Sequence, residues 1–144
     1  LFIGPRGSAC GLHVDTAGSN FWMLLLAGRK RWTIYPRECA AALAPSFVQG
    51  HDAAFDAGRA LSAADRYEFD LSPGELLFVP AGSPHTVTNL EHTSAISANY
   101  IDESNLDLAL TELRVAALSN PEAAALHSQL ACLPTERACM NFAL

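Results

Sequence analysis

Apolar and polar positions alternate in short stretches over the first hundred residues, and the period then lengthens. Eight stretches read as strands, each bounded by Gly, Pro, Asn or Asp: 1–4, 11–15, 21–27, 31–35, 67–71, 76–79, 85–89 and 94–101. Eight short strands with that punctuation fit a mostly β protein built as a double-sheet jelly roll. The stretch Leu76–Val79, entered through the turn Pro73-Gly74, reads as a buried strand, and the Pro/Gly-rich segment after it delivers His85 onto the next one. Between Pro36 and Arg66 lies an Ala-rich insertion, residues 37–66, with no period-2 signal; Arg37–Leu43 and 62–66 read as helical turns, and the part around Gln49-Gly50-His51-Asp52 as loop.

After Ile101 the period is helical. Leu106, Leu110, Leu113 and Ala117 fall on one face, with Asp102 or Ser104 as the cap. Ser119-Asn120-Pro121 ends that helix and opens a second, Asn120 serving as cap and Pro121 as its first residue, which runs to about Leu130. The plan is therefore a β core over 1–101 and a C-terminal α-helical extension over 102–144. An isolated helix of this length is marginal in water, so Leu106, Leu110 and Leu113 are expected to pack on the barrel or on a second copy, which would give a homodimer through these helices.

Composition narrows the picture. The chain has 144 residues, enough for one domain with a core, and half of them are hydrophobic, which excludes a disordered chain. The net charge of −6 argues against direct nucleic-acid binding, since the one basic cluster is Arg29-Lys30-Arg31; a cationic protein or peptide is the easier partner to steer. The longest apolar run, residues 21–27, is seven residues long, far short of a membrane span, so no membrane partner is expected. No signal peptide is visible, but the chain opens inside a strand and reads as an excerpt, so a targeting segment could lie upstream. The four cysteines lack CxxC spacing and read as free thiols of a reducing, intracellular compartment, cytoplasm or nucleus.

The chemistry is carried by His13, Asp15 and His85. Alternate residues of a strand share a face, so His13 and Asp15 can reach one ion, and His85 sits on a later strand in similar surroundings. Two imidazoles and one carboxylate occupy one face of an octahedral ion and leave the other open, which suits Fe(II) that activates O₂. His51, His92 and His127 fit no shared strand face with these three and read as surface or loop residues.

The run Gly11-Leu12-His13-Val14-Asp15, followed by Trp22, Gly28-Arg29-Lys30-Arg31-Trp32 and Tyr35-Pro36, resembles the JmjC branch of the cupin superfamily, the Fe(II)- and 2-oxoglutarate-dependent oxygenases. Pro73-Gly74-Glu75, Phe78-Val79-Pro80, His85, Asn89-Leu90 and Asn99-Tyr100 extend the resemblance to Ile101. Within the branch, the chain is most similar to the small hydroxylases that act on lysyl side chains of proteins. The resemblance implies catalysis at a metal held by His13, Asp15 and His85. It implies 2-oxoglutarate and O₂ as cosubstrates, and oxidative decarboxylation of the oxo acid to succinate and CO₂. Lys30, the sole lysine, falls where such enzymes hold the distal carboxylate, with Arg29 and Arg31 as competing cations. Ser97 and Asn99 share a face of the last strand and are the further candidates for binding the cosubstrate, while Asn89 could simply end its strand. Met23 stands where a polar residue is expected, Cys10 where Thr is common, and Ser83-Pro84 replaces an aromatic pair. Two other readings stay open: a non-catalytic cupin that binds metal or ligand, and a metal-dependent cupin enzyme that uses no 2-oxoglutarate.

Overall fold

A computed structural model of the chain describes residues 1–43, 55, 66–132 and 140–142. The alternating stretches form β1 (Phe2–Gly4), β2 (Ala9–His13), β3 (Asn20–Ala27), β4 (Lys30–Ile34), β5 (Tyr67–Leu71), β6 (Leu76–Val79), β7 (His85–Asn89) and β8 (Thr93–Ile101). All pairings are antiparallel, in two sheets ordered β1-β8-β3-β6 and β2-β7-β4-β5. The chain thus crosses repeatedly between sheets, the jelly-roll arrangement the strand count anticipates.

The core lies between the inner faces. Phe21, Met23 and Leu25 of β3 meet Trp32 and Ile34 of β4, with Leu71, Leu77, Val79 and Ala95 completing the layer. Every position of β3 after Asn20 is apolar, yet burial alternates: Trp22 and Leu24 are half-buried and Leu26 is exposed. The fully buried β6 expected from its sequence is corrected in the same way, because Leu76 and Phe78 point outward and only Leu77 and Val79 reach the core. The two-residue period of a pleated strand sends neighbours to opposite faces whatever their hydrophobicity. Gly28, at φ 82°, turns the corner from one sheet to the other; a Cβ there would lie 2.1 Å from the carbonyl oxygen of His92.

Arg37–Leu43 is a 3-10 segment, as the helical-turn reading of that stretch expects, whereas residues 62–65 and His51 lie outside the described residues. Beyond the core come α1 (Leu106–Ala116) and α2 (Pro121–Ala131). Asn120 caps α2 as expected, its side chain accepting from the backbone N–H of Glu122 and Ala123, with Pro121 following. The cap of α1 is instead Asn105; Asp102 spends its side chain on Ser104 just before the helix. Leu106, Ala109 and Leu113 pack with Ile101 of β8 and with Ala123 and Leu130 of α2, and Leu110 joins from the edge. The apolar stripe therefore packs inside the chain, the first of the two arrangements expected of it. A short strand, β9 (Met140–Phe142), returns to pair with Asn99–Ile101 of β8, so the C-terminal extension is not wholly helical. No helix among the described residues is long and apolar enough to cross a membrane.

Candidate metal centre

Strand pairing brings the two histidines together. His13 is the last residue of β2, His85 the first of β7, and they are register partners with ring centroids 4.3 Å apart. An irregularity between Cys10 and His13 shifts the register of β2, and the ladder stops at His13 rather than at Asp15 as the sequence suggests. Asp15 nevertheless keeps an extended backbone, φ −64° and ψ 142°, so the alternation of faces runs two residues past the last strand pair. A short 3-10 turn, Thr16–Gly18, follows at once and is clamped by α1. The Asn105 amide donates to the Gly18 carbonyl at 2.8 Å, and a Cβ at Gly18 would lie 2.8 Å from the backbone nitrogen of Ala109.

The three side chains converge on one point. Asp15 Oδ1 lies 3.6 Å from His13 Nε2 and 3.7 Å from His85 Nε2, and one ligand atom from each residue falls within 4.8 Å of the others. Bonds of about 2.1 Å to one ion allow two ligand atoms to be at most about 4.2 Å apart, a limit both His–Asp separations meet. Each ring is oriented from behind. Nδ1 of His13 is 2.7 Å from the Gly11 carbonyl and Nδ1 of His85 is 2.9 Å from the Ser83 carbonyl, so each donates its Nδ1–H and turns the Nε2 lone pair toward Asp15. The donor set fits a divalent first-row metal.

Electrostatics separate the two rings. His85, only 4% exposed, is pushed below the usual histidine range by burial, which favours the neutral form that binds metal. His13, 33% exposed, is held above that range, chiefly by its hydrogen bond with Asp15. Proton and metal therefore compete at His13, and metal affinity falls as pH drops. Cys10, whose Sγ is 3.5 Å from His13 Nδ1, is pushed up by burial first and by Asp15 second, which keeps it a thiol.

The triad opens into a cavity of about 440 Å³ between the two sheets. Lys30 lines its wall, 6% exposed, and its Nζ donates to Asn89 Oδ1 at 2.7 Å. Burial pushes the ammonium below the usual lysine range. Arg29 and Arg31 face the other way, toward Asp70 and Glu91, with Arg31 holding Asp70 through two hydrogen bonds. Strand alternation decides between the three cations: Lys30 points in, its neighbours out. Asn99 also lines the cavity and donates to Ser19 Oγ at 2.9 Å, whereas Ser97 shares its strand face but is not part of the wall.

Asn89 is the residue that sequence reasoning undervalued. It is 7% exposed, it accepts from Lys30 and donates to Ser8 Oγ, and its backbone is bonded to Gly7 and Ser8. Its position at the same end of the strand ladder as Lys30, its register partner, is the signal that could have found it. Trp32 was read only as part of a motif, yet it too lines the cavity.

A family model described as a cupin-like domain matches residues 1–105. The chain belongs to the cupin-like domain family. This cupin is 33% identical over 121 residues to the 2-oxoglutarate and iron-dependent oxygenase JMJD4 of Danio rerio, covering 75% of the chain and 28% of that protein. It is 32% identical over 120 residues to the bifunctional arginine demethylase and lysyl-hydroxylase psr-1 of Caenorhabditis elegans, covering 74% of the chain and 30% of that protein. It is also 32% identical over 130 residues to the lysine-specific demethylase JMJ21 of Arabidopsis thaliana, covering 78% of the chain and 13% of that protein. The cupin thus spans less than a third of the length of each of these relatives. The JmjC resemblance carried by its motifs is matched by these relatives, and the His-Asp-His group stands ready for iron. Cys10, Cys39 and Cys132 are free thiols among the described residues, while Cys139 lies outside them. His92 and His127 stand apart from the triad.

Proposed function

We propose that this chain is the core of an Fe(II)- and 2-oxoglutarate-dependent oxygenase that hydroxylates a protein side chain, with lysyl side chains the first candidates. The observation that carries the reading is that His13, Asp15, His85 and Lys30 line one cavity. His13 Nε2, Asp15 Oδ1 and His85 Nε2 would hold the metal and leave its cavity side to cosubstrates. Bound Fe(II) supplies the activation of O₂ that couples decarboxylation of 2-oxoglutarate to oxygen insertion into a C–H bond.

The chain's own residues bind, orient and exclude water. Lys30 is a buried cation that donates to the neutral amide of Asn89, and a carboxylate of the oxo acid would complete it; an uncompensated buried charge is costly. Asn89 holds the ammonium in place, and Asn99 offers a further polar contact from β8, with Ser97 beside it on the same face. Phe21, Met23, Trp32 and Val87 supply an apolar wall that keeps solvent from the reacting centre. The exposed rim, Phe2, Ile3 and Ala9, is apolar and suits the aliphatic stem of a lysyl side chain. The net charge of −6 favours a cationic protein segment as partner. The names of the relatives include demethylases as well as hydroxylases, and both outcomes begin with oxygen insertion at a C–H bond. The Lys30 ammonium calls for an anionic ligand, which a 2-oxo acid supplies.

The test is succinate release from 2-oxoglutarate by iron-loaded protein in air, with a lysine-containing peptide library read by mass spectrometry for gain of one oxygen. Succinate together with an oxidised peptide is expected. A folded, iron-loaded chain that forms no succinate would overturn the proposal.

A further inference from the structure

Asn89 joins two parts of the cavity wall that are far apart in the chain. Its Oδ1 accepts from Lys30 Nζ at 2.7 Å. Its remaining polar atoms grip the connection between β1 and β2. Nδ2 donates to Ser8 Oγ at 2.8 Å and to the Pro5 carbonyl at 3.4 Å, the backbone N–H donates to the Ser8 carbonyl at 2.8 Å, and the backbone carbonyl accepts from the Gly7 N–H at 2.7 Å. The two arms of the amide cannot be exchanged. An ammonium only donates and a backbone carbonyl only accepts, so the amide oxygen must face Lys30 and the nitrogen must face the turn.

The turn is fitted to that amide. Gly4, which ends β1, has no positive φ, yet a Cβ there would stand inside contact distance of Asn89 Nδ2 and 3.1 Å from Ser8 Oγ. Glycine is thus needed at this position for room. β1 belongs to one sheet and β2 to the other, so the turn bridges the sheets, and Gly4 and Ser8 on either side of it line the cavity together with Lys30. A lysine stem is long and rotatable, and the place of its ammonium is set by the acceptor that holds it. Here that acceptor is itself held by the turn.

We infer that Asn89 is a positioning residue through which the Pro5–Ser8 turn sets the place of the Lys30 ammonium, and with it the affinity of the cavity for an anionic 2-oxo acid. The inference rests on the proposed function and adds a control over its cosubstrate from the rim of the cavity. Phe2 and Ile3, the exposed rim offered to a protein substrate, lead directly into this turn. A substrate that shifts the rim therefore acts on cosubstrate affinity, and by reciprocity the cosubstrate acts on the rim.

The experiment is a double-mutant cycle read by calorimetry on the full chain loaded with Zn(II) in place of iron, so that 2-oxoglutarate binds without turnover. Gly4→Ala pushes the Asn89 amide aside, and Ser8→Ala removes one of its acceptors. Gly4→Ala should weaken 2-oxoglutarate binding on the order of tenfold and Ser8→Ala by less, with Zn(II) affinity unchanged in both. In an Asn89→Ala background the link is already lost, so neither substitution should weaken 2-oxoglutarate binding further. A direct clash with the ligand would persist in that background, and its persistence overturns the inference. If Asn89→Ala does not fold, Asn89→Ser, which keeps a hydroxyl for Lys30 but no amide nitrogen, takes its place. Gly4→Ala and Ser8→Ala proteins that bind 2-oxoglutarate as tightly as wild type overturn this inference alone. Wild-type protein that binds Zn(II) but no 2-oxoglutarate overturns the proposed function and this inference with it.

Discussion

The two ends of the cavity are built on different principles. At the metal end, His13 and Asp15 come from the end of an edge strand and the second residue beyond it, both partly open to solvent, and only His85 is deeply buried. At the other end, Lys30, Trp32 and Asn89 come from the central pair β4 and β7, and all are at least nine-tenths buried. The metal end is thus placed by backbone at the margin of the sheet, where side chains can change with little effect on the core. The lysine end is part of the core, so binding and stability are joined there.

The largest expected effect is at the exposed end. Asp15→Ala removes the anionic ligand and should reduce metal binding and succinate formation to background. Stability should stay within about 0.5 kcal/mol, since the substitution lies outside the packed core. Wild-type-like turnover by a folded, iron-loaded variant would show that Asp15 is no ligand.

Lys30→Met comes next. Loss of a buried ion pair with the cosubstrate should lower 2-oxoglutarate affinity by about 3–5 kcal/mol, while metal affinity stays unchanged, both read in one paired titration. The free protein should not be destabilised, because the variant removes a desolvated charge. Burial holds the Lys30 ammonium below its ordinary range, so between the folded and unfolded values the unfolded chain binds more protons and wild-type stability rises with pH. Urea melts across alkaline pH should show that rise in the wild type and lack it in Lys30→Met. Equal 2-oxoglutarate affinity in the two proteins would remove Lys30 from the site.

The smallest effect probes what supports the metal end from outside. Gly18→Ala places a Cβ against the backbone of Ala109 at a residue with φ 58°, and should cost about 1–3 kcal/mol of stability while loosening the turn behind Asp15. Gly74→Ala is the control: its φ is 86° but nothing lies within 4 Å, so metal affinity should not move. If Gly18→Ala binds metal as tightly as wild type, α1 does not position Asp15.

The strands and the triad were legible because both depend on local pattern. Alternation with turn residues located β1 to β8 to within two residues, and the His-x-Asp spacing needs only extended backbone to aim two side chains one way. Lys30 could be singled out among three adjacent cations only through resemblance; its inward direction is a matter of sheet face. Ser97 and Asn99 share a face in the sequence, yet only Asn99 reaches the cavity wall. The exposed side chains of β6, Leu76 and Phe78, contradict the buried-strand reading, since an unbroken apolar run carries no sign of which face meets the core.

By itself the sequence determined the β-rich jelly roll, the helical period after Ile101 and the three side chains that converge as a candidate metal site. These follow from the two-residue and 3.6-residue periods of backbone geometry and from the donor atoms a metal requires. Tertiary structure alone decided that the α1 stripe closes on its own chain, and that Asn89 holds Lys30. Each of those depends on residues far apart in the chain meeting at one point, and pairing between distant elements, unlike alternation within a strand, leaves no period to read.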